Sequence, residues 1–165
     1  MTTYPTYDQL FDLPAYVEQP VPMPFEDMNG HLNVRHYIGI ASEGLDESLV
    51  PLGIPQNWPI SAGHACFSAE HHCTYLTELR TGDLMSARVR LLGRSERAAH
   101  ALVYLLDETH HRLSYVMEEI FLHIDMSTRR TAPWPEDVAA NLDKRIAEDA
   151  ELPFAAATSG CLALR

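Results

Sequence analysis

The residues best suited to chemistry are concentrated in one segment, Glu26-Asp27-Met28-Asn29-Gly30-His31-Leu32-Asn33-Val34, followed by Tyr37. Asp27, Asn29 and Gly30 are turn residues, and Asn33 is a good N-cap for the helix that the following apolar spacing predicts. The first amides of a helix lack intrahelical acceptors and carry roughly half a positive charge from the macrodipole. A carbonyl bound there would be polarised and its developing oxyanion stabilised. Asp27, on the turn before the helix, is placed to act on the carbonyl carbon, directly as a nucleophile or through a water as general base. Gly30 lets the backbone approach a ligand closely. His31 could bond the carbonyl or a water, or equally fix the loop through a backbone carbonyl, and Asn33 reads first as a cap. An isolated Asp-x-x-Gly-His is also what a plain turn before a capped helix looks like.

The elements that must position this segment follow from periodicity. Tyr16 to Met23 is a strand candidate that Pro20 and Pro22 confine to an edge or a bulge. From Asn33 onward, Val34, Tyr37, Ile38, Ala41, Leu45, Ser48 and Leu49 form one apolar stripe, and Pro51 and Gly53 end the helix. Gly39 and Gly44 cost about 1 kcal/mol each there, unless close packing against another backbone compensates. Glu43 falls opposite the stripe with His36, Ile40 and Glu47. Between Ala65 and Asp125 the period becomes two, with strands over Ala65–Glu78, Leu84–Leu92, Ala98–Leu106 and Leu113–Asp125. Turn signals at Thr81-Gly82-Asp83, Gly93-Arg94-Ser95 and Asp107 to Arg112 make the links short, which requires antiparallel neighbours. The predicted class is α+β, an antiparallel sheet of about five strands wrapped around one long central helix. Residues 1–13 read as an arm and 14–135 as the domain. Residues 136–165 read as a charged helix, Glu136 to Asp149 with a weak Val138, Leu142, Ile146 stripe, and a tail.

Bulk properties narrow the classes. A chain of 165 residues suits one domain, and 46% hydrophobic residues argue against wholesale disorder. A net charge of −11 argues against nucleic acid or an anionic membrane as partner. No apolar run approaches the ~18 residues of a membrane span, and the first residues lack the basic-then-apolar pattern of a secretory signal. Cys66, Cys73 and Cys161 make no disulfide framework, so a reducing cytoplasm is expected. His64, Cys66, His71, His72 and Cys73 have no zinc-site spacing, and alternation splits them across two strand faces, so no metal is expected. Nothing sets a base beside Cys66 or Cys73 for a thiol nucleophile.

Asp27-x-x-Gly30-His31-x-Asn33-x-x-x-Tyr37 resembles the signature of hotdog-fold acyl-CoA thioesterases of the 4-hydroxybenzoyl-CoA thioesterase-like group. The resemblance continues through Glu70-x-His72-x-x-Tyr75-x-x-Glu78, Gly82-Asp83, Ile124-Asp125 and Arg129-Arg130-x-x-Pro133, so collinear features cover residues 15 to 135. It implies a hotdog fold and an acyl-CoA substrate with no cofactor beyond it. It also implies homodimers or dimers of dimers with sites at the subunit interface, and Asp27 as the catalytic carboxylate. Gly-His-x-Asn-Val-x-x-Tyr, Gly39, Glu43 and Thr128 to Pro133 are similar to thioesterases of carnitine and betaine breakdown that act on betainyl-CoA. A second hotdog lineage uses a helix glutamate, which makes Glu43 a secondary candidate.

Other expectations concern the substrate's two ends. Glu70 and His72 share one strand face, where they touch substrate, support Asp27 or simply pair across strands. Arginine donates in pairs to phosphate, so Arg94, Arg97, Arg129 and Arg130 at strand ends are the candidates for CoA, the alternative being charges that balance an acidic surface. If the acyl group is a trimethylammonium, aromatic faces or carboxylates must surround it, with Tyr37, Trp58 and Tyr75 as candidates; an aryl or aliphatic group could use the same side chains. Hotdog hydratases and dehydratases carry Asp-x-Asn-Pro-x-His, whereas here Asp27 and His31 are four apart and Gly30 replaces the proline. A non-catalytic acyl-CoA-binding hotdog is the third reading.

Overall fold

The computed structural model describes residues 3–164, so the first two residues of the expected arm and the last of the expected tail lie outside the described residues. The elements are α1 (Tyr7–Phe11), β1 (Tyr16–Pro20), α2 (Val34–Leu49), α3 (Trp58–Ser61), β2 (His64–Tyr75), β3 (Leu84–Arg94), β4 (Ala98–Asp107), β5 (Arg112–Asp125), β6 (Arg130–Thr131) and α4 (Glu136–Ala150). The sheet runs β1-β3-β4-β5-β2, with β6 added to β5, and the pairings are antiparallel. α2 lies against β1, β3, β4 and β5. Its Tyr37, Ala41, Leu45 and Leu49 share a core with Ala87, Val89, Val103, Leu105, Met117 and Phe121 of the strands. This is the hotdog arrangement that the resemblance implies. Among the described residues no helix is long and apolar enough to cross a membrane.

The helix is rotated from the expected stripe. Ile40 and Gly44 are buried, whereas Val34 is 60% and Ile38 is 36% exposed. The reason is Gly44: a Cβ there would lie 2.5 Å from the Ala87 side chain, so the missing side chain lets α2 settle onto β3 along that line. Gly39 faces away and has nothing within 4 Å of a built Cβ, so only one of the two glycines serves close packing.

Three further differences bear on the site. β2 stops at Tyr75 instead of Glu78, because the Leu76 and Thr77 N–H groups converge on one β5 carbonyl, that of Ser114, and the Thr77 and Glu78 carbonyls accept from side chains. α1 was not predicted, although Thr6 and Gln9 form a capping box at its start and Leu10 is wholly buried. Arg88 and Arg90, which the sequence reading did not place in the interior, are buried on the sheet face away from α2. Arg88 pairs with Glu108 at 2.9 Å, and Arg90 donates to the Phe154 carbonyl. That face carries a second core of Leu10, Leu102, Tyr104, Leu106, Val116 and Ala157, covered by residues of α1 and of the segment after α4. α4 itself caps β3 where β1 no longer pairs with it: Asp149 accepts the Leu91 N–H at 2.7 Å and Arg145 donates to the Val89 carbonyl at 3.1 Å.

Candidate active-site cleft

The Asp27 loop is a tight turn built by its own backbone. Gly30 N–H donates to the Asp27 carbonyl and Asp27 N–H to the His31 carbonyl, each at 3.0 Å, with Gly30 at φ +79°. Asp27 Oδ1 accepts the Asn29 N–H at 2.7 Å, an Asx turn that fixes the carboxylate; among the described residues Oδ2 meets only the Asn29 side-chain amide, at 3.4 Å. Leu32 N–H donates to the Leu79 carbonyl, which ties the loop to the segment after β2, and Asn33 N–H donates to the Phe25 carbonyl, which closes the loop at its base. Asn33 then caps α2 by accepting the Arg35 N–H at 3.1 Å. Among the described residues the Val34 N–H donates to no acceptor, so one polarised amide remains open at the helix start.

A cleft of about 380 Å³ opens here, lined by Asp27, His31, Leu32, Val34, Tyr37, Tyr75, Leu76, Thr77 and Glu78. His31 Nδ1 lies 3.2 Å from the Leu32 carbonyl oxygen, which requires the proton on Nδ1 and leaves Nε2 an acceptor in the neutral ring. Its 3.7 Å separation from Asp27 Oδ1 is too long for a hydrogen bond. Tyr37 packs edge-on to Tyr75 with ring centroids 5.3 Å apart, and Tyr115 backs both rings. Burial pushes the Tyr37 phenol above its ordinary pKa, so it stays neutral.

The opposite wall, Thr77 to Leu79, was missed by sequence reasoning because Thr77 and Glu78 were assigned to the end of a strand. Ser114 donates to the Thr77 carbonyl at 2.6 Å, Arg112 to the Glu78 carbonyl at 3.1 Å, and Leu79 N–H to the Tyr37 hydroxyl at 3.2 Å. Arg112 is in turn held by buried Asp107 at 2.9 Å. Among the described residues one group, Asp83, Asp107 and His110, gathers three ligand-type atoms. Asp107 is already engaged there by Arg112 and the His110 N–H, which makes it a brace for the β4–β5 turn.

The other sequence candidates lie elsewhere. Glu43 is exposed on α2, nine residues beyond Val34 and about 13 Å along the axis. Glu70 and His72 sit on the face of β2 opposite Tyr75, and His72 lines a small cleft with Thr74, Glu118 and Ser159. Trp58 is buried against His64 and His123 and borders a separate cleft with Asp46, Cys66 and Phe67. Burial pushes the Cys66 thiol up to about 12, so it is protonated at neutral pH. Arg94 is tied to Asp143 of α4, Arg97 lies 3.8 Å from Glu96, Arg129 stands over the Phe67 ring and Arg130 is exposed in β6. All four arginines are away from the Asp27 end of the sheet: Arg130 is level with His64, about 35 Å along β2 from Tyr75, whereas Arg94 and Arg97 are level with Ser68 and Cys66, about 23 and 30 Å from it.

The model of a thioesterase-like superfamily matches residues 21–142. A Pseudomonas aeruginosa betainyl-CoA thioesterase is 27% identical over 126 residues, covering 76% of this chain and 79% of that one. A Rhizobium meliloti L-carnitine dehydrogenase/betainyl-CoA thioesterase is 27% identical over 132 residues, 80% of this chain. The chain thus spans 26% of that relative's length. Among solved structures, a hypothetical Staphylococcus aureus protein in complex with CoA superposes with a TM-score of 0.75 at 22% identity, over 87% of this chain and 96% of that one.

Proposed function

The chain belongs to the thioesterase-like superfamily, and from that premise we propose that it hydrolyses an acyl-CoA thioester, adding water across the C–S bond to release the free acid and the CoA thiol. The observation that carries this reading is the pairing, in one cleft, of a fixed carboxylate on Asp27 with the open Val34 amide at the start of α2. The amide receives the charge that develops on the carbonyl oxygen. Asp27 Oδ2, held among the described residues by one long contact, acts on the carbonyl carbon, either through a water or directly. His31 Nε2, Asn33 and Gly30 support the same centre, the first as an acceptor toward the water and the others through the cap and the turn. No cofactor is called on, since coenzyme A enters as part of the substrate.

The names of the curated relatives support a small acyl group, betainyl or a related short or aryl one. The free acid and thiol are products made in the cytoplasm. We infer a homodimer, or a dimer of dimers, for a geometric reason. β2 is the last strand of the sheet, with Phe67 to Glu70 exposed at its middle. A partner's β2 running antiparallel along it would set the Arg129 and Arg130 end of one subunit beside the Asp27 end of the other. That would give the CoA phosphates two cations that a single subunit holds far from the cleft. A thiol-release screen over betainyl, aryl and straight-chain acyl-CoA tests the reading: turnover of at least one of them is expected, and absence of thiol from all of them rejects hydrolysis.

A further inference from the structure

We propose that Glu78 makes this cleft selective for short acyl thioesters bearing a permanent cation, a quaternary ammonium held between the Glu78 carboxylate and the Tyr37 and Tyr75 rings. The inference rests on the hydrolase reading of the same cleft and assigns the group that chooses its substrate.

Charge is the first observation. The nine lining residues include two carboxylates and two tyrosines, and no lysine or arginine. For a substrate that arrives as the polyanion coenzyme A, a wall of two negative charges is unfavourable unless the acyl portion carries the opposite sign. Glu78 is also held in place. The carbonyls of Thr77 and Glu78 and the amide of Leu79 are all bonded by side chains from β5 and α2, so the carboxylate projects from a backbone with little freedom. Arg80 donates through Nε to Oε1 at 2.9 Å, and its Nη2 goes to the same oxygen. Among the described residues Oε2 accepts nothing. That ion pair is solvent-exposed and screened, so it leaves most of the carboxylate's attraction available.

Shape is the second observation. In an α-ammonio acyl thioester the nitrogen is only two bonds from the reacting carbonyl, so its head group must share the cleft with Asp27. Tyr75 is 49% exposed and meets Tyr37 edge to ring, which gives an aromatic wall open on the cleft side. Methyl groups on a cation are attracted to such rings, and a nearby carboxylate completes the site. Trp58, the strongest cation–π side chain of the three aromatic candidates, borders a different cleft.

The test compares betainyl-CoA with its neutral carbon isostere, tert-butylacetyl-CoA, by the ratio of their kcat/KM values. Because the two differ in charge and hardly in shape, damage to folding or to Asp27 cancels in the ratio. Wild-type protein is expected to favour the cation, and Glu78→Gln to lower the ratio about tenfold. A wild-type ratio near one, or a ratio that Glu78→Gln leaves unchanged, overturns the proposal. Calorimetric binding of tetramethylammonium needs no turnover and is expected to weaken in Glu78→Gln; equal affinity in both proteins again overturns it. Glu78-dependent binding without thiol release would keep the cation site and reject the hydrolase reading, whereas thiol release from both thioesters at a ratio near one would do the reverse.

Discussion

The hydroxyl of Tyr37 accepts the backbone N–H of Leu79 at 3.2 Å, joining the first turn of α2 to the wall across the cleft. Tyr37 is 4% and Leu79 0% exposed, so neither partner has water as a substitute. Tyr37→Phe would leave the Leu79 amide buried without an acceptor, at about 1–3 kcal/mol. Chemical denaturation is expected to show that loss, together with a raised KM from a wall no longer held. Unchanged stability would show that the amide finds another acceptor.

The contrast between the two helix glycines gives the second prediction. Gly44→Ala would force a Cβ to 2.5 Å from the Ala87 side chain on β3, so α2 must lift or the strand must shift. Overpacking of that kind costs about 1–3 kcal/mol, more than the roughly 1 kcal/mol that alanine gains in helix propensity. Gly39→Ala meets nothing within 4 Å and is expected to stabilise the protein by up to about 1 kcal/mol. Denaturation midpoints that move in the same direction for both substitutions would contradict the packing.

The local parts of this structure were legible in the sequence, and the parts set by distant contacts were not. Asp27, Gly30 and Asn33 announce a turn and a cap because the geometry they require is contained within a few residues. Thr6 and Gln9 carried an equally local signal for α1, a capping box that was overlooked. The burial of Ile40 and Gly44 depends on where Ala87 lies, and the helical spacing of apolar residues alone made Ile40 appear to face solvent. Glu78 was invisible as a cleft residue because its position is set by Ser114, Arg112 and Tyr37, all more than thirty residues away in sequence. Glu70 and His72 were correctly assigned to one face of β2, but which face meets the cleft is decided by the sheet order.

His123 supplies a pH dependence. It is 1% exposed, with Nδ1 2.9 Å from the Ala132 carbonyl oxygen and Nε2 3.1 Å from His64 Nδ1. Burial holds its pKa below the ordinary histidine value, against the opposing pull of the Ala132 carbonyl. The unfolded chain therefore takes up this proton before the folded one. The associated stability is complete above about pH 6.5 and is lost as pH falls from there toward the lowered folded value. Denaturation midpoints measured from neutrality to about pH 5 should fall in the wild type and fall less steeply in His123→Gln. Parallel curves would exclude His123 as the source.

Asp27 carries the sharpest functional expectation. Asp27→Asn keeps a side-chain oxygen to accept the Asn29 N–H, so the turn should survive and stability should change by less than about 0.5 kcal/mol. The loss is confined to the carboxylate's charge and basicity, and thiol release is expected to fall by about 10²–10⁴-fold. Single-turnover hydrolysis in heavy-oxygen water follows the attacking oxygen. Label only in the released acid means that solvent attacked the acyl carbon, through a water activated by Asp27 or at the acyl carbonyl of an anhydride. Label in the Asp27 carboxyl means attack through an anhydride whose enzyme-side carbonyl is the one hydrolysed. Full activity in a correctly folded Asp27→Asn protein would remove Asp27 from the reaction and turn attention to Glu43. That residue could act only on a thioester bound far along α2 from the open Val34 amide.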